Sequence, residues 1–153
     1  MKIAVIGAGL IGGSLALCFR GKPEIELVGY SHRQDLADLS VELGVVDSAT
    51  LSLEEAAADA DFIFLSTPVG LLETYLEKIN ALPLKDGCIV TDVGSTKASI
   101  AARARELDWG SACFIGGHPM AGSERSGVQA ATSLLFENAY YVLTPPPEAD
   151  PAA

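Results

Sequence analysis

A glycine-rich turn near the start of the chain constrains the fold more than any other feature. Residues 2–6 form a short apolar run, residues 7–12 read Gly-Ala-Gly-Leu-Ile-Gly, and residues 13–20 have the character of a helix. This succession of strand, turn and helix with G-x-G-x-x-G spacing is typical of dinucleotide binding. The alternative is a glycine-rich helix start that binds no ligand.

Each glycine of the motif has a physical reason in such a site. Gly7 permits the tight turn, Gly9 lets a pyrophosphate approach the backbone because it has no Cβ, and Gly12 lets the helix pack close to the strand. The free N–H groups and the dipole at the helix start then attract phosphate groups. The motif therefore predicts a pyrophosphate site formed by Gly7, Gly9, Leu10, Ile11 and Gly12.

Length and charge narrow the possible partners. The 153 residues fit one domain that is large enough for a sheet covered on both faces. The formal net charge of −10 argues against binding to nucleic acid or to an anionic membrane surface. No apolar run reaches the roughly 18 residues that a membrane span needs. We therefore expect a small-molecule ligand, no nucleic acid and no membrane.

The three cysteines, Cys18, Cys88 and Cys113, are widely spaced and form no C-x-x-C motif. This usage suits reduced thiols and predicts a cytoplasmic protein. No Cys/His spacing indicates a metal site, so we expect none.

Apolar runs alternate with helical patterns along the rest of the chain. This alternation predicts an α/β fold with a doubly wound, mostly parallel sheet, Rossmann-like, in a single domain over residues 1–144. The Pro-rich residues 145–153 predict a linker or tail. Strands are predicted over 25–30, 61–66, 88–92 and 112–115, and helices over 35–43, 53–60, 69–82 and 97–107.

The segment Ser31-His32-Arg33 follows the second predicted strand, about 20 residues after the last glycine of the motif. An NAD enzyme usually has an Asp or Glu here against the ribose 2′-hydroxyl. No carboxylate appears before Asp35, and an Arg can make bidentate contacts to a 2′-phosphate. The segment favours NADP over NAD, the alternative being a solvated turn with an incidental Arg.

Ligands of doubly wound sheets bind beyond the carboxyl ends of the strands. Three segments fall at such ends: Ser66-Thr67-Pro68, the turn that contains Ser95, and a predicted loop after Ile115 that contains His118 between glycines. His118 is a candidate general base or hydrogen-bond acceptor, because imidazole can exchange protons near neutral pH. The alternative role of His118 is a structural turn residue.

Other residues near these strand ends have simpler explanations. Ser95 is either a helix N-cap, a group that hydrogen-bonds substrate, or both. Lys97 fits a solvated residue better than a ligand, and Glu124 and Arg125 fit surface charges.

Four segments in this order resemble the nucleotide-binding domain of the prephenate/arogenate dehydrogenase family of tyrosine biosynthesis. The resemblance covers nearly the whole chain, and residues 139–145 resemble the last strand of that domain. The segments are the glycine motif, Leu65-Ser66-Thr67-Pro68-Val69, Asp92-Val93-Gly94-Ser95-Thr96-Lys97 and Gly116-Gly117-His118-Pro119-Met120-Ala121-Gly122-Ser123-Glu124.

The resemblance implies an oxidative decarboxylation of a cyclohexadienol. Hydride leaves the ring carbon that bears the 4-hydroxyl and goes to the nicotinamide, and loss of carbon dioxide aromatises the ring. His118 matches the family histidine that accepts the hydrogen bond of the 4-hydroxyl, and Ser95 matches the serine that helps to place it. Thr67 and Pro68 match the loop beside the nicotinamide, and Glu124 matches an acidic position near the active-site entrance.

The family also has a second, mostly helical domain that forms a homodimer and supplies further substrate contacts, and residues 1–153 contain no counterpart of it. We therefore expect these residues alone to be monomeric or weakly associated, and to turn over substrate poorly. Two alternatives stay open: a nucleotide-binding module without turnover, and another Rossmann oxidoreductase that acts on a hydroxyacid or an imine. The choice between prephenate and arogenate also stays open.

Overall fold

A seven-stranded sheet forms the centre of the structure, a computed structural model in which residues 1–146 are described. The strands are β1 Lys2–Ile6, β2 Glu26–Tyr30, β3 Ser48–Thr50, β4 Phe62–Leu65, β5 Ile89–Asp92, β6 Cys113–Pro119 and β7 Tyr141–Thr144. The α-helices are α1 Leu10–Phe19, α2 Gln34–Glu42, α3 Leu53–Ala57, α4 Leu72–Asn80 and α5 Ala98–Glu106, with short 3₁₀ turns at Val69–Leu71 and Val128–Ala130.

The strand order is β3-β2-β1-β4-β5-β6-β7. All neighbouring pairs from β3 to β6 are parallel, and only β7 runs antiparallel to its neighbour β6. This is the Rossmann-like, mostly parallel fold that the alternating sequence predicts. The change of direction between β1 and β4 in this order creates a crevice at the carboxyl ends of the strands, where such sheets bind ligands.

The core lies on both faces of the sheet. In β1, Ile3 and Val5 pack in one apolar cluster with Leu27 and Val46, whereas the alternate residues Ala4 and Ile6 pack in another. Successive side chains of a strand point to opposite faces, so β1 is buried from both sides. The second cluster also contains Ile63, Leu65, Leu76, Ile79 and Val90.

Several element boundaries differ from the sequence predictions. Helix α1 begins at Leu10 rather than at residue 13, α3 ends at Ala57, and the helix expected over 69–82 begins as a 3₁₀ turn before α4. Strand β3 was not predicted because its three residues are too short to show a pattern; it pairs with the end of β2. The predicted tail falls mostly outside the described residues, which end at Pro146.

The prediction that His118 lies in a loop is wrong. Strand β6 extends to Pro119, and His118 pairs with Val142 of β7. The two preceding glycines make this pairing possible: a Cβ on Gly116 would collide with the Thr144 hydroxyl, and one on Gly117 would lie 2.8 Å from the Tyr141 ring. The small residues that indicated a loop therefore serve a close strand contact.

None of the helices in the described range is both long and apolar enough to cross a membrane.

Candidate functional site

The glycine turn has the geometry that its sequence predicts. Gly7 has a φ of +94°, which disfavours other residues, and its N–H donates to the Tyr30 carbonyl at 3.1 Å. A Cβ on Gly12 would lie 2.7 Å from the Cβ of Ser66 and closer still to the Gly7 carbonyl. Gly12 thus lets α1 lie directly against the end of β4.

The open side of the turn is at Gly9, where an added Cβ would meet nothing within 4 Å. Gly9 is also the N-cap of α1, which has no side-chain cap and no acidic residue in its first turn. The positive end of the helix dipole therefore faces free space, and this arrangement suits a phosphate group. The residues present fit the cofactor pyrophosphate that the motif predicts.

A cleft of about 250 Å³ adjoins the turn and runs between the ends of β1, β2 and β4. It brings together seven of the predicted cofactor residues: Gly7, Gly9, Ser31, His32, Ser66, Thr67 and Pro68. Leu10, Ile11, Gly12 and Arg33 do not line it. The cleft is also lined by Tyr30, Tyr75 and Val128, which no sequence pattern marks as site residues, since each resembles an ordinary apolar core position.

Two hydroxyls at the cleft have no hydrogen-bond partner among the described residues. The Ser66 Oγ and the Thr67 Oγ1 are both buried. An unpaired buried hydroxyl is costly, so partners from a bound ligand would relieve that cost. Their position at the carboxyl end of β4 is the position expected of a cofactor contact.

Arg33, the residue that the sequence favours as a ligand of a 2′-phosphate, is already paired in the structure. Its guanidinium forms a two-pronged contact with the Asp35 carboxylate, with Nε 3.0 Å from Oδ1 and a second contact to Oδ2. The Arg33 hydrogen bond lowers the pKa of Asp35. Both side chains are exposed, so an incoming anion has access to Arg33 but competes with a carboxylate for it.

Ser95 is exposed in the turn between β5 and α5. It is not the N-cap of α5, because the helix begins at Ala98 and its N-cap position is Lys97. His118 is half-buried in β6, between the buried residues Gly117 and Pro119. Glu124 is exposed in the segment that follows β6.

A buried ion pair lies behind Ser95 and His118. Asp92 at the end of β5 is fully buried and forms a salt bridge with Lys97, whose side chain is 19% exposed. The assignment of Lys97 as a solvated residue is therefore wrong: the acid that pairs with it is hidden by tertiary packing. A carboxylate that ends an otherwise apolar strand was the available signal for Asp92.

Tyr141 of β7 packs beside this region, and its phenol has no hydrogen-bond partner in the part of the chain described. Burial raises the pKa of Tyr141 to about 12. No three His, Cys, Asp or Glu side chains within residues 1–146 come together as metal ligands would.

The open glycine turn, the cleft and the parallel sheet define this chain as a Rossmann-like nucleotide-binding domain. Residues 15–153 match the family described as the nucleotide-binding domain of prephenate dehydrogenase. The chain belongs to that family.

Two curated relatives are similar in sequence to nearly the whole chain. The prephenate dehydrogenase of Lactococcus lactis is 47% identical over 94% of this chain, and that of Bacillus subtilis is 38% identical over 99%. These matches cover 40% and 41% of the two relatives. The chain therefore spans less than half the length of these curated relatives.

Solved structures show the same domain. The crystal structure of Synechocystis arogenate dehydrogenase has a TM-score of 0.88 at 44% identity, covering 99% of this chain and 52% of that one. Prephenate dehydrogenase from A. aeolicus, in complex with hydroxyphenyl propionate and NAD+, has a TM-score of 0.86 at 31% identity, covering 98% of this chain and 52% of that one.

Proposed function

We propose that this chain supplies the cofactor domain and the catalytic histidine of an NADP-dependent dehydrogenase that oxidatively decarboxylates prephenate or arogenate in tyrosine biosynthesis. The observation that supports it most is that the candidate residues lie together at the carboxyl ends of neighbouring strands. The open glycine turn follows β1, the unpaired hydroxyls of Ser66 and Thr67 follow β4, and Ser95 follows β5. His118 stands near the end of the next strand, β6.

Different residues would contact different parts of the cofactor. Gly9, Leu10 and Ile11 would face the pyrophosphate at the start of α1, and Ser31 and His32 would face the ribose at the end of β2. Thr67 and Pro68 would lie beside the nicotinamide. The nicotinamide, when bound, accepts the hydride that leaves the substrate.

His118 would act on the substrate hydroxyl. As the ring carbon loses hydride, its 4-hydroxyl becomes a carbonyl, and the hydroxyl proton needs an acceptor. A neutral imidazole can accept that proton, whereas the Ser95 hydroxyl can only orient the group. Glu124, exposed after β6, would stand near the entrance.

The preference for NADP rests on Arg33. Asp35 follows two residues later and pairs with Arg33, so the 2′ end of the site holds both a cation and a carboxylate. A 2′-phosphate carries more charge than one carboxylate and can take the same two-pronged geometry. We infer that NADP displaces Asp35 from Arg33, whereas NAD leaves the pair intact.

A second candidate function is a nucleotide-binding module that has no turnover by itself. It requires only the open glycine turn and the adjoining cleft, both of which the described residues supply. Another Rossmann oxidoreductase is less well supported: the imine reductase of Bacillus cereus has a TM-score of 0.62 at 20% identity, which shows a shared fold alone.

The proposed setting is a cytoplasmic enzyme whose full-length form is a homodimer. The three cysteines support the cytoplasmic placement, since all of them are free thiols in the structure. The dimer would form through the helical domain that the family resemblance implies.

The test is the production of NADPH from NADP by the full-length gene product, with prephenate and arogenate supplied separately. We expect turnover with at least one of them, and the ratio of the two kcat/KM values identifies the substrate. Nucleotide binding without NADPH production from either compound would favour the second candidate function.

A further inference from the structure

The buried Asp92 carboxylate contacts both segments that present the proposed catalytic groups. Its Oδ2 accepts a hydrogen bond from the Gly94 N–H at 2.9 Å, and its Oδ1 accepts one from the Gly117 N–H at 3.3 Å. Gly94 immediately precedes Ser95, and Gly117 immediately precedes His118. The Asp92 side chain is therefore hydrogen-bonded to the backbone next to Ser95 and to the backbone next to His118.

The packing around this carboxylate leaves no room for other residues at the two glycines. A Cβ on Gly94 would lie 2.6 Å from a Leu72 methyl and 3.0 Å from Asp92 Oδ2. A Cβ on Gly117 would lie 2.6 Å from the Asp92 carbonyl and 2.8 Å from the Thr91 hydroxyl. Both backbone segments are thus drawn against the end of β5.

The negative charge of the Asp92 carboxylate is balanced by the Lys97 ammonium group. The carboxylate is 0% exposed, and a buried charge is tolerated only when it is paired and hydrogen-bonded. Lys97, two residues after Ser95, forms a salt bridge with the Oδ2 that accepts the Gly94 N–H. The ion pair thereby closes the turn on which Ser95 lies.

We propose that Asp92 is a positioning residue that fixes Ser95 and His118 relative to each other, with Lys97 as its counter-charge. Its place in catalysis rests on the proposed function, whereas its hold on the two backbone segments does not. A shift of about 1 Å in a catalytic group can cost about 100-fold in rate. Because Asp92 holds the backbone beside both residues, the relative placement of Ser95 and His118, and with it the rate, would depend on this carboxylate.

The first test is Asp92→Asn, which keeps the shape but replaces one acceptor oxygen with an N–H₂ donor. In the full-length gene product we expect kcat to fall about 10- to 100-fold, with the KM for NADP within about twofold of the parent. In the 153-residue chain we expect amide hydrogen exchange at Gly94 or Gly117 to quicken at least about tenfold.

Asp61→Asn is the matched control. Asp61 also accepts a backbone N–H, from Lys2 at 2.7 Å, and also pairs with a lysine, Lys85, but it lies at the amino-terminal ends of the strands, opposite to the end where Asp92 lies. We expect it to leave kcat unchanged and to quicken exchange at Gly94 and Gly117 no more than at core amides such as that of Ile63, as a general loss of stability would. Equal effects of the two substitutions on kcat, or unchanged exchange at both glycines in Asp92→Asn, would overturn the proposal.

A second pair of variants covers the case in which Asp92→Asn does not fold. Lys97→Met removes the counter-charge from a partly exposed position, and Lys97→Arg keeps it. We expect faster exchange at the two glycines and lower kcat in Lys97→Met, with most of both effects reversed in Lys97→Arg. Identical behaviour of the two variants would contradict the proposed role. If the parent enzyme reduces no NADP, the proposed function fails, and the exchange data alone decide the role of Asp92.

Discussion

At the residue scale, the two histidines of the chain offer a direct separation of catalysis from cofactor binding. His118 lies in β6 and is the proposed acceptor of the substrate hydroxyl proton, whereas His32 lines the cleft beside the glycine turn. We predict that His118→Asn in the full-length gene product lowers kcat by about 10²–10⁴-fold, because the hydroxyl proton loses its acceptor. NADP affinity should not change.

His32→Asn is the reciprocal control for this experiment, with an effect confined to NADP binding. Steady-state kinetics and calorimetry on both variants make the measurement. A near-parental kcat in His118→Asn would assign the histidine a purely structural role in the β6–β7 pairing.

The Arg33–Asp35 pair leads to a second prediction at this scale. Because a 2′-phosphate must displace Asp35, Asp35→Asn should tighten NADP binding several-fold, and Arg33→Ala should weaken it about tenfold or more. NAD affinity should hardly change in either variant. Titration calorimetry with both nucleotides measures the effect, and equal affinities of the parent for NAD and NADP would count against the proposed preference.

The sequence predicts single residues well where their role is local. The glycines of the turn follow from backbone geometry within six residues. The partners of Arg33 and Lys97 do not, because charge pairing depends on which carboxylates tertiary packing brings near. Asp92 is hidden in the same way: only the folded sheet shows that its carboxylate faces Gly117, which is 25 residues away in the sequence.

At the element scale, two glycines of the motif have different roles. Gly12 lies where α1 packs against the strands, whereas Gly9 faces open space. We predict that Gly12→Ala destabilises the domain by about 1–3 kcal/mol, because the new Cβ would overlap the Gly7 carbonyl and Ser66.

Gly9→Val should leave the urea midpoint nearly unchanged but greatly weaken cofactor binding, since its side chain enters the open space at the helix start. Full cofactor affinity in a folded Gly9→Val variant would contradict the predicted pyrophosphate site.

Asp61 at the start of β4 ties that strand to β1 and leads to a prediction about pH. Hydrogen bonds from Lys85 and from the Lys2 N–H lower the pKa of Asp61 below its ordinary 3.8. A group with a depressed folded-state pKa stabilises the fold above its ordinary pKa, and this contribution is lost as the pH falls through the folded-state value. Asp61→Asn should therefore lower the urea midpoint at pH 7, and the gap from the parent should shrink once the pH drops below about 3.8. A gap that stays constant on acidification would exclude this electrostatic origin.

At the scale of the whole molecule, the alternating pattern was sufficient to predict the fold class and most of its elements. It failed at β3, whose three residues show no period, and at β6, which was predicted to end at residue 115. The extension of β6 requires β7, which returns from 22 residues further along the chain and pairs antiparallel with it. Such a pairing has no local signature, and it moved His118 from a predicted loop into the sheet.

The last prediction concerns what residues 1–153 do alone. The glycine turn, the cleft and the end of β2 all lie within the described part of the chain, so the chain should bind NADP. The family resemblance implies that further substrate contacts and the dimer come from a second domain, and this chain matches 40% of the Lactococcus lactis relative. We therefore expect calorimetry to show cofactor binding, light scattering to show a monomer or a weak oligomer, and prephenate or arogenate to produce little or no NADPH. Robust steady-state NADP reduction by the 153-residue polypeptide would show that one domain is sufficient for the chemistry.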